Sequence, residues 1–179
     1  MSGKKRLSMR RAILLTLFTT LSLYGFAESV TTFSSDFEQS IVDADGKEIV
    51  YRGSVTAKRP DRAYWRYDAP VAKEVYIVGE EVVIVEPDME QAIIRWMGEE
   101  IDFFSILSHA VKTGPESFEA RYNDQSFTLK VTDGLLRSIS YRDTFENRVE
   151  IRFNHPVYDA AVPEATFEAK IPATYDIIR

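Results

Sequence analysis

Residues 51–67 read YRGSVTAKRPDRAYWRY, and apolar or small side chains alternate with polar ones on both sides of Pro60. Before the proline, the small or apolar members are Tyr51, Gly53, Val55 and Ala57. After it, they are Ala63, Trp65 and Tyr67. A period of two is typical of a strand with one buried and one solvated face, as in antiparallel sheets. The stretch therefore predicts two antiparallel strands separated at Pro60.

The same alternation continues through most of the chain. Turn sequences such as Asn123-Asp124 and Asp133-Gly134 separate the alternating segments at hairpin spacing. The predicted strands are 35–42, 48–58, 62–68, 74–78, 81–86, 91–97, 117–122, 126–131, 135–141 and 147–153, with a weaker one near 165–169. We therefore predict a mainly β (α+β) protein of about ten or eleven strands.

One segment departs from this pattern. Between Ile101 and Lys112, apolar side chains recur at steps of three and four, and Gly114-Pro115 follows. This spacing predicts an amphipathic helix that ends before the Gly-Pro pair. Ten twisted strands tend to curl and enclose space, and the helix would cover the open side. The sequence leaves open whether that space is a packed core or a cavity.

The N-terminus has the layout of a secretory signal. Five basic residues precede an apolar run of 12 residues, Ala12 to Leu23, and Gly25-Phe26-Ala27 follows it. The run is short for a membrane-spanning helix, which needs about 20 apolar residues. We predict that residues 1–27 are a cleaved signal peptide and that residues 28–179 form a single domain.

Composition narrows the function. The formal net charge is −6 at pH 7, and removal of the basic leader makes the remainder more acidic, which disfavours nucleic acid as a partner. The chain has no cysteine and two histidines, so thiolate chemistry is excluded and histidine chemistry is limited. An exported, cysteine-free chain of this kind is typical of the bacterial envelope.

The sequence offers little for catalysis. Ser105 and His109 lie four residues apart on the predicted helix, but no third orienting group accompanies them. Asp43 and Asp45 resemble the opening of a calcium loop, yet the glycine and glutamate positions of that loop do not match. We predict no catalytic residue, no metal site, no cofactor and no enzymatic activity.

Arg59 is the unusual residue of the stretch 51–67. If Lys58 faces water with Thr56, then Arg59 continues the apolar face of Val55 and Ala57. An arginine there needs acceptors, because burying it unpaired is costly. We expect it near the rim of the sheet, bonded to carboxylates or backbone carbonyls, and we regard it as a functional candidate.

These features, taken in order, resemble the LolA family of periplasmic lipoprotein carriers over roughly residues 33–178. The matching residues are Phe33, Phe37-Glu38-Gln39, the Asp45-Gly46 turn, Gly53, Lys58-Arg59-Pro60, Trp65, Pro70, Gly79, Glu86-Pro87, Glu90-Gln91, Phe167 and Pro172. The resemblance implies an unclosed antiparallel β-barrel, or half-barrel, with a helical lid. Its apolar inside would take the acyl chains of a lipoprotein.

The resemblance also implies site residues and partners. Arg59 matches the family arginine that holds the lid by bonding to its backbone, and Trp65 matches an inward-facing tryptophan. With the strand and helix patterns above, we predict an apolar cavity bounded by Trp65, Tyr67, Phe103, Phe104 and Leu107. The implied partners are acylated lipoproteins, a LolCDE-type inner-membrane transporter and a LolB-type outer-membrane receptor. We expect a monomer in the periplasm.

Two alternatives remain open from sequence. A periplasmic lipid-binding or sensor module can have the same half-barrel shape, although such regulators usually carry a second domain. An envelope hydrolase would need acids or histidines that converge on one cleft. The LolB-type receptor is anchored through an N-terminal cysteine, which this chain lacks.

Overall fold

The computed structural model describes residues 30–96 and 103–179. Within these ranges, twelve strands form one sheet, accompanied by one short helix, α1 (Phe103–Ser108). Two 3₁₀ turns lie at Pro87–Met89 and Glu164–Phe167. Strands β1 to β12 are, in chain order, Thr32–Val42, Glu48–Lys58, Arg62–Ala69, Lys73–Val78, Glu81–Glu86, Gln91–Trp96, Val111–Lys112, Ser117–Tyr122, Gln125–Thr132, Leu135–Arg142, Arg148–Tyr158 and Asp176–Ile178.

The sheet consists of two meanders joined side by side. The strand order is β12-β6-β5-β4-β3-β2-β1-β11-β10-β9-β8-β7, and pairing is antiparallel except between β12 and β6. In each meander, β1–β6 and β7–β11, strands that follow one another in sequence are neighbours. The two meanders meet where β1 pairs with β11. The described strands leave β12 and β7 as edges, so the sheet is unclosed.

The two faces of the sheet are covered differently. The inner face, defined here as the one that packs against α1, carries the main apolar core, including Phe33, Phe37 and Trp65. On the outer face, Tyr76, Val83 and Val85 form a smaller cluster. Side chains of the C-terminal segment pack against this second cluster: Ala169, Ile171 and Tyr175. The alternation in the sequence thus places most of its apolar positions on the inner face of the sheet.

The strand predictions agree with the structure to within about three residues, except that β11 continues five residues beyond its predicted end and that three further places differ. The helix predicted for 101–112 spans Phe103–Ser108 in the described residues, and Val111–Lys112 pairs with β8 as a short strand. The weak strand near 165–169 is wrong, because that segment holds a 3₁₀ turn with Phe167 buried. The extra strand at that end is Asp176–Ile178 instead, and the sheet has twelve strands rather than ten or eleven.

Gly53 lies at a close approach between the backbones of β2 and β3. The register between these strands shifts between Arg52 and Gly53. A Cβ added to Gly53 would lie 1.8 Å from the backbone oxygen of Arg66, far inside van der Waals contact. Only glycine fits this position, which explains why the inward row of β2 is interrupted here.

Candidate functional site

Trp65 and Tyr67 lie on the inner face of β3, as their parity predicted. Trp65 is buried, and its ring centroid lies 5.2 Å from that of Phe37. Tyr67 is partly buried, contacts the rings of Phe37 and Tyr51 edge-on, and donates its hydroxyl to Oε1 of Gln39 at 3.1 Å. Burial raises the pKa of Tyr67, and the nearby Tyr141 and Tyr51 add to the shift. This tyrosine is therefore a neutral hydrogen-bond donor on the inner face.

The helix α1 buries its apolar side in the same core. Phe103, Phe104 and Leu107 are each at most 3% exposed. Phe103 stacks on Phe33 with ring centroids 4.4 Å apart, and the Phe104 ring stands edge-on to Phe103 at 5.3 Å. Packed aromatic contacts to β1 thus hold the helix.

Arg59 joins α1 to the segment before β1. Its guanidinium carbon lies 4.6 Å from the Phe104 ring centroid, and its Nε donates to the carbonyl of Val30 at 2.9 Å. Its backbone N–H donates to the carbonyl of Thr31 at 2.9 Å. A cation over an aromatic face contributes about 0.5–2 kcal/mol, depending on desolvation. The side chain therefore stabilises the position of α1 relative to the end of β2.

The segment whose carbonyl groups accept the hydrogen bonds of Arg59 is itself held in place by Asp159. Asp159 accepts the backbone N–H of Thr31 at 2.7 Å and the Thr31 hydroxyl at 2.8 Å. These two bonds lower the pKa of Asp159. The Val30 carbonyl consequently lies in an ordered position next to the guanidinium. Arg59, Thr31 and Asp159 form a continuous polar link from β2 to the end of β11.

An open groove lies on the inner face beside this core. Its volume is about 200 Å³. Among the described residues, its walls are Gln39, Trp65, Tyr67, Lys73, Val75, Ile77, Ile84, Arg95, Tyr141 and Ile151. We refer to this space as the inner groove. Seven of its ten described lining residues are aliphatic or aromatic, and this part of the wall suits the hydrocarbon part of a ligand.

The structure divides the predicted cavity residues into two groups. Trp65 and Tyr67 line the inner groove. Phe103, Phe104 and Leu107 belong to the packed core of the same face and are not among its described lining residues. The sequence did not separate these cases, because both groups have the same apolar periodicity.

Two cations of the inner groove were missed from sequence. Lys73 lies opposite Tyr67 in the β3–β4 register, and its Nζ is 4.5 Å from the Tyr67 ring centroid. Arg95 lies on β6 opposite Val82. Burial lowers the pKa of Lys73, Glu86 opposes this shift, and Arg95 adds to it. The signal was present in the parity of Lys73, Val75 and Ile77, which share one face of β4.

A larger concavity of about 880 Å³ lies near the β8–β9 and β10–β11 turns. Its walls are mainly hydroxyl, amide and charged side chains, among them Asn123, Asp143 and Glu150. Three of its sixteen described lining residues are aliphatic or aromatic, against seven of ten in the inner groove. We therefore regard the smaller inner groove as the candidate site.

The alternatives for metal and acid–base chemistry gain no support. Nδ1 of His109 contacts the backbone oxygen of Ser105 at 2.7 Å. Asp43 Oδ1 accepts the backbone N–H groups of Asp45 and Lys47, as in a hairpin turn. Residues 30–96 and 103–179 contain no group of three or more potential ligands placed to hold a metal ion. In the same ranges, every helix is too short or too polar to cross a membrane.

Comparison with known proteins shows the family to which this chain belongs. The model of a family described as "Outer membrane lipoprotein carrier protein LolA" matches residues 28–119. The chain belongs to the LolA family. The family description is that of a carrier, which agrees with the absence of an enzymatic motif noted in the sequence.

Curated relatives of this chain support the assignment, because their similarity extends over nearly its whole length. The outer-membrane lipoprotein carrier protein of Campylobacter jejuni is 34% identical, covering 96% of this chain and 100% of the relative. That of Wolinella succinogenes is 34% identical, covering 96% and 99%. An uncharacterized conserved protein from Thermus thermophilus has a crystal structure that aligns with a TM-score of 0.54 at 11% identity, covering 88% of this chain and 94% of that one. This last likeness shows the shared fold.

Proposed function

We propose that this chain carries lipoproteins through the periplasm by enclosing their acyl chains in the inner groove. The observation that carries the proposal is an open groove on the inner face, lined by seven aliphatic or aromatic side chains, in a member of the LolA family. Exposing a CH₂ group to water costs about 0.8 kcal/mol, so a long chain costs on the order of 10 kcal/mol. A carrier must therefore cover the chains in transit and still release them.

The inner groove is smaller than the acyl chains of a whole lipoprotein anchor. Loading thus requires the inner face to widen, and α1 is the element that can move without breaking the sheet. Arg59 opposes that movement through its contacts with Phe104 and the Val30 carbonyl. These contacts favour the closed form, and they would be lost when cargo displaces α1. Arg59 thereby favours release.

The direction of transport requires two partners. Cargo would be received from a LolCDE-type transporter at the inner membrane and delivered to a LolB-type receptor at the outer membrane. The predicted signal at residues 1–27 supports export, although it lies outside the described residues. Intact mass of the exported form tests this step, with Glu28 as the expected first residue. A product that retains residues 12–23 would contradict a diffusing carrier.

The central test is selective binding of acylated peptide. A triacylated lipopeptide should displace an environment-sensitive apolar dye from the purified protein. The same peptide without acyl groups is the control and should leave the dye bound. Displacement by neither peptide, or by both equally, would contradict acyl recognition. Copurification of acylated lipoproteins with the exported protein would provide independent support.

A further inference from the structure

The inner groove contains charge that an uncharged acyl chain does not need. Lys73 and Arg95 both line it, on β4 and β6. Acyl groups attach to a lipoprotein through ester and amide bonds, which carry no charge. The half-buried ammonium group of Lys73 in a partly apolar groove is therefore unexplained by the carrier function alone.

The charge of Lys73 is poorly compensated by the protein. Its ammonium group rests against the Tyr67 ring, and none of the described carboxylates lies within salt-bridge distance of it. Glu86 attracts this charge, but an oxygen of Glu86 also accepts a hydrogen bond from the Gln91 amide. The nearby charge of Arg95 repels it. Burial and like charge thus both disfavour the ammonium form in the groove.

A bound anion would reverse both effects. A carboxylate near Lys73 and Arg95 would screen their mutual repulsion and replace lost hydration. The apolar wall then continues from these cations along Trp65, Val75 and Ile84. The arrangement has a cationic end and a hydrocarbon-compatible body, which is the pattern that an anionic amphiphile requires.

We propose that the inner groove also binds free fatty acids, with the carboxylate held by Lys73 and Arg95. This inference rests on the proposed acyl-binding function and adds the class of headgroup. The volume of about 200 Å³ is small against the several long acyl chains of a lipoprotein anchor. A short chain of eight carbons is therefore the suitable probe for this groove. Longer fatty acids would compete with lipoprotein cargo for the same wall.

The test compares three ligands with the same eight-carbon chain by calorimetry on the purified protein. Octanoate should bind at least tenfold more tightly than 1-octanol, and octylammonium should bind most weakly. Lys73→Gln and Arg95→Gln should each reduce the affinity for octanoate at least about threefold more than they reduce that for 1-octanol. Glu86→Gln should increase the affinity for octanoate, because it removes a competing carboxylate.

A matched control separates local charge from net charge. Lys130→Gln removes a cation from the solvated face of β9 and should leave octanoate affinity unchanged. Equal affinities for all three ligands, or an equal effect of Lys130→Gln and Lys73→Gln, would overturn the headgroup assignment while acyl binding stands. Failure of octanoate, 1-octanol and the triacylated lipopeptide to bind would overturn both proposals.

Discussion

Phe37 and Tyr67 lie on strands that are separated by β2, yet their ring centroids are 5.1 Å apart. Two strand spacings would place them roughly 9.5 Å apart. Gly53 lies between them in the register, opposite Phe37 on one side and Tyr67 on the other. Because Gly53 has no side chain, the two rings meet across it. The wall of the inner groove therefore depends on a glycine that does not itself contact the ligand.

Gly53→Ala should destabilise the protein by roughly 2–3 kcal/mol, because the new methyl group would overlap the Arg66 carbonyl. Gly114→Ala is the matched control, since its nearest contact would be Ser117 Cβ at an ordinary 3.5 Å. That variant should change stability by no more than about 0.5 kcal/mol. Urea unfolding of both variants measures the difference. Equal stability of the two variants would show that β2 and β3 tolerate separation at this point.

Tyr67→Phe should lower the free energy of unfolding by about 1 kcal/mol at pH 7, since it removes the hydrogen bond to Gln39. Burial raises the pKa of Tyr67 in the folded state above its ordinary value of 10.0. The unfolded chain therefore loses the tyrosine proton first, and wild-type stability falls as pH rises above about 10. Phenylalanine lacks this proton.

The stability gap between wild type and Tyr67→Phe should consequently close near about pH 11. Parallel urea titrations at pH 7, 9 and 11 measure it. A gap that stays constant across this range would mean that Tyr67 ionises as readily in the folded protein as in the unfolded chain.

Ile84→Trp should fill the inner groove and reduce affinity for a triacylated lipopeptide at least about tenfold. Ile84 lines the groove and is partly exposed, so the larger ring can be accommodated there without opening the core. Val78→Trp places the same ring at an exposed position at the end of β4, and should bind normally. Dye displacement and calorimetry provide the affinities. Normal binding by a folded Ile84→Trp protein would place the acyl site elsewhere.

Arg59→Leu should hold cargo more tightly and transfer it poorly. The substitution removes the bond to the Val30 carbonyl and the cation over Phe104, and it adds apolar surface. Charge-assisted hydrogen bonds contribute roughly 1.5–3 kcal/mol, so the expected effect on release is at least tenfold. Arg59→Lys should be intermediate, because lysine keeps the charge without the planar fork.

Loading and transfer must be measured separately on folded Arg59→Leu protein. Normal loading with normal transfer would remove Arg59 from the mechanism. Loss of folding in Arg59→Leu, with the Arg59→Lys protein folded and fully active in transfer, would show that the residue serves only the structure.

Local sequence was sufficient to predict most of the strands, because most of them have one buried and one solvated face. The alternation in β2 and β3 therefore predicted their bounds and the inward parity of Trp65. It could not predict β12, since three exposed residues pair with β6 without any apolar periodicity. The helix was overestimated because Ala110 and Val111 continue its spacing, whereas Val111 begins a strand.

The candidate site was predictable only in part, for a physical reason. A packed core and a ligand groove select the same apolar residues, so Phe103 and Trp65 look alike in sequence. What distinguishes them is the fit of neighbouring elements, which depends on contacts between distant segments. Lys73 was overlooked because a lysine at the start of a strand is ordinary, although its parity with Val75 and Ile77 put it on the inner face, and the register places it opposite Tyr67.

The seam between β1 and β11 sets the order in which the sheet can assemble. Every other antiparallel pair joins strands that follow one another in sequence, whereas Val42 meets Arg148 across on the order of a hundred residues. The two meanders can therefore form quickly, and closure of the seam limits the folding rate. Until then, β1 and β11 expose unpaired edges that invite association with other chains. The edge-to-face contact of Phe33 with Phe153, at 5.2 Å across this seam, provides an apolar attraction that shortens that vulnerable period.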